Sequence, residues 1–361
     1  MSNFVKFSCA VMIALLLVFL TAADEYDCFA GEIPEVDVST RTKVVNKVAD
    51  LMSDYFLYPD IGEKSGEYIK DKLKNGNYDS FTDVKKFCSQ VTADLREICH
   101  DKHLFVFYSP EEAKEVAARK SLLPPDEKER IERQLYEKGR RTNFGFSRVE
   151  ILDGNVGYLD LHYVAPLEYA AETVIGTMKF LSHADAVIID LRRNGGGGGI
   201  SRLLLSYFLG PGRIHLIDYY ARASDVAEQY WSYEYVPGKR MTDVDLYFLT
   251  SSKTFSAAEE MAFNMQHLGR ALIIGETTKG GAHPVDVLIV QGDILLQVSI
   301  GETVHPVTKT NWEGVGVEPD VKVPAEEALQ TAHLLALKNL LSKTTDDEVR
   351  NELVSLIEQM E

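Results

Sequence analysis

Apolar residues recur at intervals of three and four from about Thr40 to His100, through VVNKVADLMSDYFL, GEYIKDKLKNG and FTDVKKFCSQVTADLREIC, with Pro59, Gly76 and Asn77 as punctuation. That period lines up one face of each helix and predicts a small helical unit. HLFVFY, residues 103–108, reads as a strand. Residues 109–141 are dense in charge and broken at Pro124 and Pro125, which predicts a mobile helical insertion with a solvated face, too short and too polar to hide another packed domain.

From Phe144 the period changes. SRVEILDGNVGYLDLHYV alternates around an Asp-Gly-Asn turn and predicts a hairpin, AAETVIGTMKFLSHA a helix, and DAVIIDLR a buried strand. SRLLLSYFL reads as a helix, followed by strands at VDLYFLTS, ALIIGE, VDVLIVQGDILLQVSIGE and VHPVTKT, with the helix SAAEEMAFNMQHLG between two of them. One helix from about Ala325 closes the chain. Strands alternating with helices predict an α/β core with an antiparallel excursion near residues 285–308.

Composition changes this picture little, and charge somewhat more. The 361 residues are 45% hydrophobic and 26% charged, which is globular. A formal net charge of -17 without a clustered Lys/Arg footprint argues against a nucleic-acid partner. At the N-terminus, Lys6, the apolar run FSCAVMIALLLVFL, the small residues TAA and the charged DEYD follow the order of a secretory signal. The run is about 14 residues, short of the ~20 a membrane span needs. Cleavage is expected after Ala23, giving a secreted or periplasmic protein, membrane-anchored only if the signal is uncleaved. Of the four cysteines, Cys9 leaves with the signal, so an odd number remains and at least one thiol is unpaired within the chain. Cys88 and Cys99, eleven residues apart on one expected helix, stand roughly 16 Å apart along it and cannot bridge. No metal-ligand spacing is present, and neither a metal nor a cofactor is expected.

Three stretches offer chemistry. DLRRNGGGGG sets five glycines, Gly195–Gly199, between a buried strand and a helix, where backbone N–H groups can converge on an anion. It lacks both the P-loop Lys and the dinucleotide-binding context. In TFSAAEEMAFN, Ser256 and Glu259 hold the S-x-x-E spacing of a capping box. A hydroxyl in that place can cap the helix, or it can attack a carbonyl whose oxyanion meets the Ala257 N–H and the helix dipole. NWEGVGVEPD, residues 311–320, carries a Trp, two carboxylates and a Gly-bounded turn.

Together, IIDLRRNGGGG, TSSKTFSAAEEMAFNMQHLGRALIIGETTKGGAHP and TNWEGVGVEPD resemble, in order and spacing, the peptidase core of the tail-specific (C-terminal processing) serine proteases, and most nearly the branch of interphotoreceptor retinoid-binding protein and the tricorn core. The resemblance covers roughly residues 40–325. It implies an α/β, mixed-sheet serine peptidase core (crotonase-like ββα superfold) with a small N-terminal helical domain. The expected organisation is a signal peptide at 1–23, helical domain at 24–102, strand and charged insertion at 103–143, catalytic core at 144–325 and a C-terminal helix at 326–361. The family's nucleophile falls on Ser256. The processing branch's lysine base falls on Gly281, with Lys279 two residues early, so the resemblance turns to the His–Glu pattern, which places the base at His103 and its orienting carboxylate at Glu313. Lys102 precedes that histidine where relatives carry Gly or Ser. The oxyanion donors would be Ala257 with Gly195 or Gly196. The stretch between helical unit and core is too short for the family's PDZ domain.

These assignments imply that His103 takes the Ser256 proton and returns it to the leaving amine, while Glu313 fixes the imidazole. The other eight histidines read as turn or surface residues, with His283 of GGAHP a lesser candidate for the site, and Asp190 with Arg192 as the fixture of the glycine loop. The expected function is hydrolysis of peptides or unfolded proteins. The rival from another class is a carrier of an apolar ligand on the same fold; an esterase is a third possibility, though Ser256 lacks the G-x-S-x-G elbow. The 109–141 insertion is a candidate lid over the cleft.

Overall fold

A computed structural model describes residues 34–361; the expected signal peptide, Cys9 and Cys28 lie outside the described residues. Helices α1 (Val38–Tyr55), α2 (Pro59–Lys74) and α3 (Val84–Cys99) form the N-terminal unit, each amphipathic in the period anticipated. Asp37 and Asp83 cap α1 and α3 by accepting backbone N–H bonds. Cys88 and Cys99 share α3 as free thiols.

Strand β1 (Phe105–Tyr108) is followed by α4 (Pro110–Arg119) and α5 (Pro125–Arg141). The hairpin β2 (Phe146–Leu152) and β3 (Val156–Leu161) turns at Asp153–Asn155, and then come α6 (Leu167–Leu181), β4 (Ala186–Asp190) and α7 (Ile200–Ser206). Next are β5 (His215–Ala221), β6 (Val226–Trp231), β7 (Asp245–Thr250), α8 (Ala257–His267) and β8 (Leu272–Gly275). The chain ends with β9 (Val285–Gln291), β10 (Ile294–Ser299), β11 (Gly301–Val304), β12 (Val321–Lys322), α9 (Ala328–Lys343) and α10 (Asp347–Met360).

The central sheet has the order β12-β8-β7-β4-β3-β2, parallel except for the β2–β3 hairpin. Both faces are covered, so its middle strands read as unbroken apolar runs. In β4 and β7, Val187, Ile189, Leu246 and Phe248 pack under α6–α8, while Ile188, Tyr247 and Leu249 pack under α9 and α10. Ala328, Ala332 and Ala336, spaced by four, let α9 lie close on the sheet.

A second sheet, β1-β10-β9, is antiparallel. Its Val106, Leu296 and Val298 share one core with Val48, Met52, Phe87 and Leu95 of the helical unit, so the 285–299 hairpin returns across the sequence to close that unit. Helix α4 is not wholly solvated: Ala113 and Val116 pack on Val287 and Leu295, and Arg119 and Lys120 pair with Asp286. Helix α5 carries the exposed charge.

Three elements differ from expectation. Strand β5 pairs with β6 on one side and β11 on the other in a third sheet; the sequence pattern leaves the stretch holding β5 and β6 unassigned, because polar residues such as Asp218, Glu228 and Gln229 weaken its alternation. VHPVTKT is a turn, closed by His305 N–H donating to Thr310 O, and Val307 is exposed. The closing helix is two, broken at residues 344–346, where Asp346 caps α10. Among the described residues no helix is long and apolar enough to cross a membrane.

Candidate active site

The parallel strands β4, β7 and β8 deliver three loops to one edge of the sheet, where open α/β folds gather ligands. The β7 loop carries Ser256. Ser251 Oγ and Thr254 Oγ1 donate to the carbonyls of Arg192 and Leu191, and Phe255 N–H donates to Asn194 O, sewing this loop to the one after β4. Ser256 has φ 55° and ψ −125°. An N-cap normally sits in the β region, and a non-glycine residue held here carries a strain of about 1–3 kcal/mol. Helix capping alone does not require it.

The glycine run is packed closely against its neighbours. Gly196 has φ 104°, and a Cβ there would come within 2.7 Å of Ser256 Cβ and 3.2 Å of Ala257 N. At Gly197, φ 115°, it would meet Val164 O at 2.3 Å. Asn194 holds the loop down, Nδ2 donating to Leu161 O and Oδ1 accepting the Gly196 N–H at 2.9 Å. Of the two glycines expected to serve an oxyanion, Gly196 therefore already has an acceptor. Ala257 opens α8, where an N–H has no intrahelical partner. Asp190 binds Arg192 at 2.6 Å and accepts from Tyr158 Oη at 2.8 Å, fixing the base of this loop.

Glu259 is fully buried and gathers the third loop to the serine. Its Oε2 accepts from the N–H groups of Ser256 (2.8 Å) and Gly281 (2.9 Å); its Oε1 accepts from Gly280 N–H (2.6 Å) and Thr278 Oγ1 (2.5 Å). Burial pushes its carboxyl up to about 7, against four donors that favour the carboxylate.

His103 stands two residues ahead of β1, buried, its ring 4.3 Å from that of Phe255, the residue before Ser256. Both imidazole nitrogens lack a hydrogen-bond partner. Burial lowers its pKa to about 4, with Asp101 opposing. The backbone is fixed by the His103 N–H donating to Asp101 Oδ1 and by Gln297 Nε2 donating to His103 O, both at 2.7 Å. Gly281 makes room for this stack: a Cβ there would lie 2.2 Å from Phe255 Cε2 and 2.6 Å from His103 Cε1. Lys279 Nζ lies 4.7 Å over the Phe255 ring.

Glu313, expected to orient the His103 imidazole, sets its carboxylate elsewhere. Its Oε2 accepts from the N–H groups of Ala282 (2.6 Å) and His283 (3.2 Å) and lies 3.6 Å from His283 Nδ1. On the other side, His283 Nδ1 is 3.3 Å from Asp101 Oδ2. His283 is thus buried between two carboxylates, not a turn or surface residue. Burial alone would lower its pKa, but the Asp101 hydrogen bond and the charges of Glu313, Asp101 and Glu302 hold it above the ordinary value. Burial raises Glu313, while Asp101, despite deeper burial, is held low by His283 and His103. The carboxylate beside His103 is Asp101, which sequence reasoning missed; the one signal was its place two residues before a histidine, in DKH.

Two family models match the chain: peptidase family S41 over residues 155–323, and the N-terminal domain of peptidase S41 in eukaryotic IRBP over residues 30–136. The chain belongs to peptidase family S41. Residues 137–154 alone separate the two matches, and no PDZ domain is evident there. A lipoprotein from Streptococcus agalactiae shares the fold at 15% identity and TM-score 0.53, over 83% of this chain and 96% of that one. So does a candidate peptidase from Parabacteroides merdae, at 16% identity and TM-score 0.52, over 82% and 96%. A photosystem II D1 C-terminal processing protease is similar at 23% identity and TM-score 0.39, over 47% of this chain and 43% of its own length. The mixed α/β core with its helical N-terminal part is the S41 peptidase fold.

Proposed function

We propose that this S41 chain is a serine peptidase that hydrolyses peptides or unfolded proteins, with Ser256 as nucleophile and His103 as its base. The observation that carries the reading is the backbone of Ser256, φ 55° and ψ −125°, which presents its side chain against the glycine loop at the start of α8. Attack on a peptide carbonyl would form a tetrahedral oxyanion facing the Ala257 N–H, with Gly195 as the second donor because the Gly196 N–H already serves Asn194. The Ser256 proton passes to a nitrogen of His103 and from there to the leaving amine; a water then repeats the cycle in reverse on the acyl-enzyme.

His103 is neutral at ordinary pH and its nitrogens are unengaged, as a base requires. Asp101 is the nearest acidic group to its backbone and stabilises the imidazolium that forms. Glu313 supports that arrangement from behind, through His283, instead of by direct contact with the base. Export through the N-terminal signal belongs to the same proposal.

A fluorophosphonate probe and casein test it on the purified protein beside Ser256→Ala and His103→Ala. Labelling and peptide release should vanish in the first variant and fall by orders of magnitude in the second. Labelling of Ser256 with casein left intact would indicate a narrow peptidase or an esterase. A folded protein that the probe never labels would return Ser256 to helix capping and favour a carrier.

A further inference from the structure

We propose that Asp101, His283 and Glu313 form a binding site for a divalent transition-metal ion of the Zn2+ class, behind His103, and that filling it switches the peptidase off. One donor atom from each residue lies within 4.8 Å of the others. His283 Nδ1 is 3.3 Å from Asp101 Oδ2 and 3.6 Å from Glu313 Oε2. Tetrahedral ligands at about 2.1 Å from a zinc ion stand about 3.4 Å apart. Both spacings from His283 Nδ1 fit that edge, and the two carboxylates, whose donor oxygens lie within 4.8 Å, need only a small side-chain rotation to close on the ion.

The donors are held before any ion arrives. Asp101 is anchored by its other oxygen on the His103 N–H; Glu313 is anchored through Oε2 itself, which accepts the N–H groups of Ala282 and His283, so an ion shares that oxygen with them or takes Oε1. Asp101 and His283 are buried and Glu313 is mostly so, which removes the competition of bulk water for the ion. Charge points the same way. Among the described residues no Lys or Arg lies within ion-pair distance of either carboxylate, and Glu302 adds a further acidic group whose charge reaches His283. One nitrogen and two oxygens suit first-row divalent ions and leave a fourth position for water. Coordination uses the Nδ1 lone pair, so binding releases to solvent whatever proton that nitrogen holds. The three ligands come from three distant segments, which is why no metal-ligand spacing stands in the sequence and no metal was expected.

Occupation ties both carboxylates to the ion and neutralises the charge that Asp101 offers His103. Inhibition rests on the Ser256–His103 reading; metal binding does not. Chelator-treated protein, and its Ser256→Ala variant, are titrated with Co2+ and Zn2+, following visible absorption and heat. One ion per chain should bind both, and folded His283→Gln and Glu313→Gln variants should bind at least about tenfold more weakly. X-ray absorption of the Zn2+-loaded wild type should show nitrogen and oxygen donors without sulfur, a readout that needs no variant. Absence of stoichiometric binding, equal binding by both variants, or a sulfur shell would overturn the site. Zn2+ should also stop casein release reversibly with chelator; binding without inhibition overturns the switch. A wild type that binds metal but never cleaves or labels would refute the peptidase reading and leave the site standing.

Discussion

His103 and Phe255 lie against each other with ring centroids 4.3 Å apart and planes inclined by 34°, and neither nitrogen of the histidine has a partner. The residue after Phe255 is the strained serine. One aromatic contact thus ties the entry to β1 to the entry of α8, although 152 positions of chain separate the two residues.

That contact exists because position 281 has no side chain. Gly281→Ala would drive a Cβ into both rings, at 2.2 Å and 2.6 Å, and overpacking of this kind costs about 1–3 kcal/mol. The variant should fold with a lowered Tm and lose at least about a hundredfold in kcat/KM, since small misplacements at a reacting centre cost that much. Unchanged kcat/KM would separate His103 from catalysis.

The backbone of Ser256 makes a second expectation. Ser256→Ala and Ser256→Gly should both be inactive, but glycine adopts φ 55° without steric cost while alanine does not. Ser256→Gly should be more stable than Ser256→Ala by about 1 kcal/mol, read from urea unfolding. Equal stabilities would mean that the loop relaxes and stores no strain.

Glu259→Gln replaces one carboxylate oxygen with an NH2 facing backbone N–H donors, whichever way the amide turns. Each buried donor left without an acceptor costs about 1–3 kcal/mol. Denaturation should show a loss of about 2 kcal/mol or more, and kcat should fall more than KM rises, because Ser256 and Gly281 lose a common anchor. A fall in stability with kcat intact would confine Glu259 to folding.

The low pKa of His103 sets a pH dependence, to be measured with chelator present. Its folded value is about 4, against about 6.5 for an unfolded histidine. Between those values the unfolded chain binds more protons, so this group's contribution to stability grows as pH rises from 4 to 6.5 and is complete above it. The acidic limb of kcat/KM should likewise lie below 6.5. A limb at or above 6.5 would show that the base is hydrated in the working enzyme.

The helical period through residues 40–100, the alternation of the β2–β3 hairpin and the closing of α8 on Ser256 and Glu259 were legible in the sequence, since each depends on neighbours a few residues apart. So was the apolar run of β4, because a strand buried on both faces needs no polar alternation. Strands β5 and β6 were not, as the pairing of β5 with both β6 and β11 supplies stability that their own pattern does not advertise. At the site, Ser256 and the glycine loop stood out because special backbone geometry needs special residues.

The sequence by itself determined the local elements, the residue types at the turns and the membership that its motifs carry. Tertiary structure decided which groups meet. Only the return of β10 onto β1 brings His103 toward the loop after β8, and only the folding of that loop under Trp312, whose Nε1–H donates to Gly281 O, sets Glu313 on His283. Periodicity is a property of one segment, whereas a carboxylate chooses its partner by distance and burial across segments; Asp101, two positions from His103 in sequence and in contact with it in space, acquired its place from both.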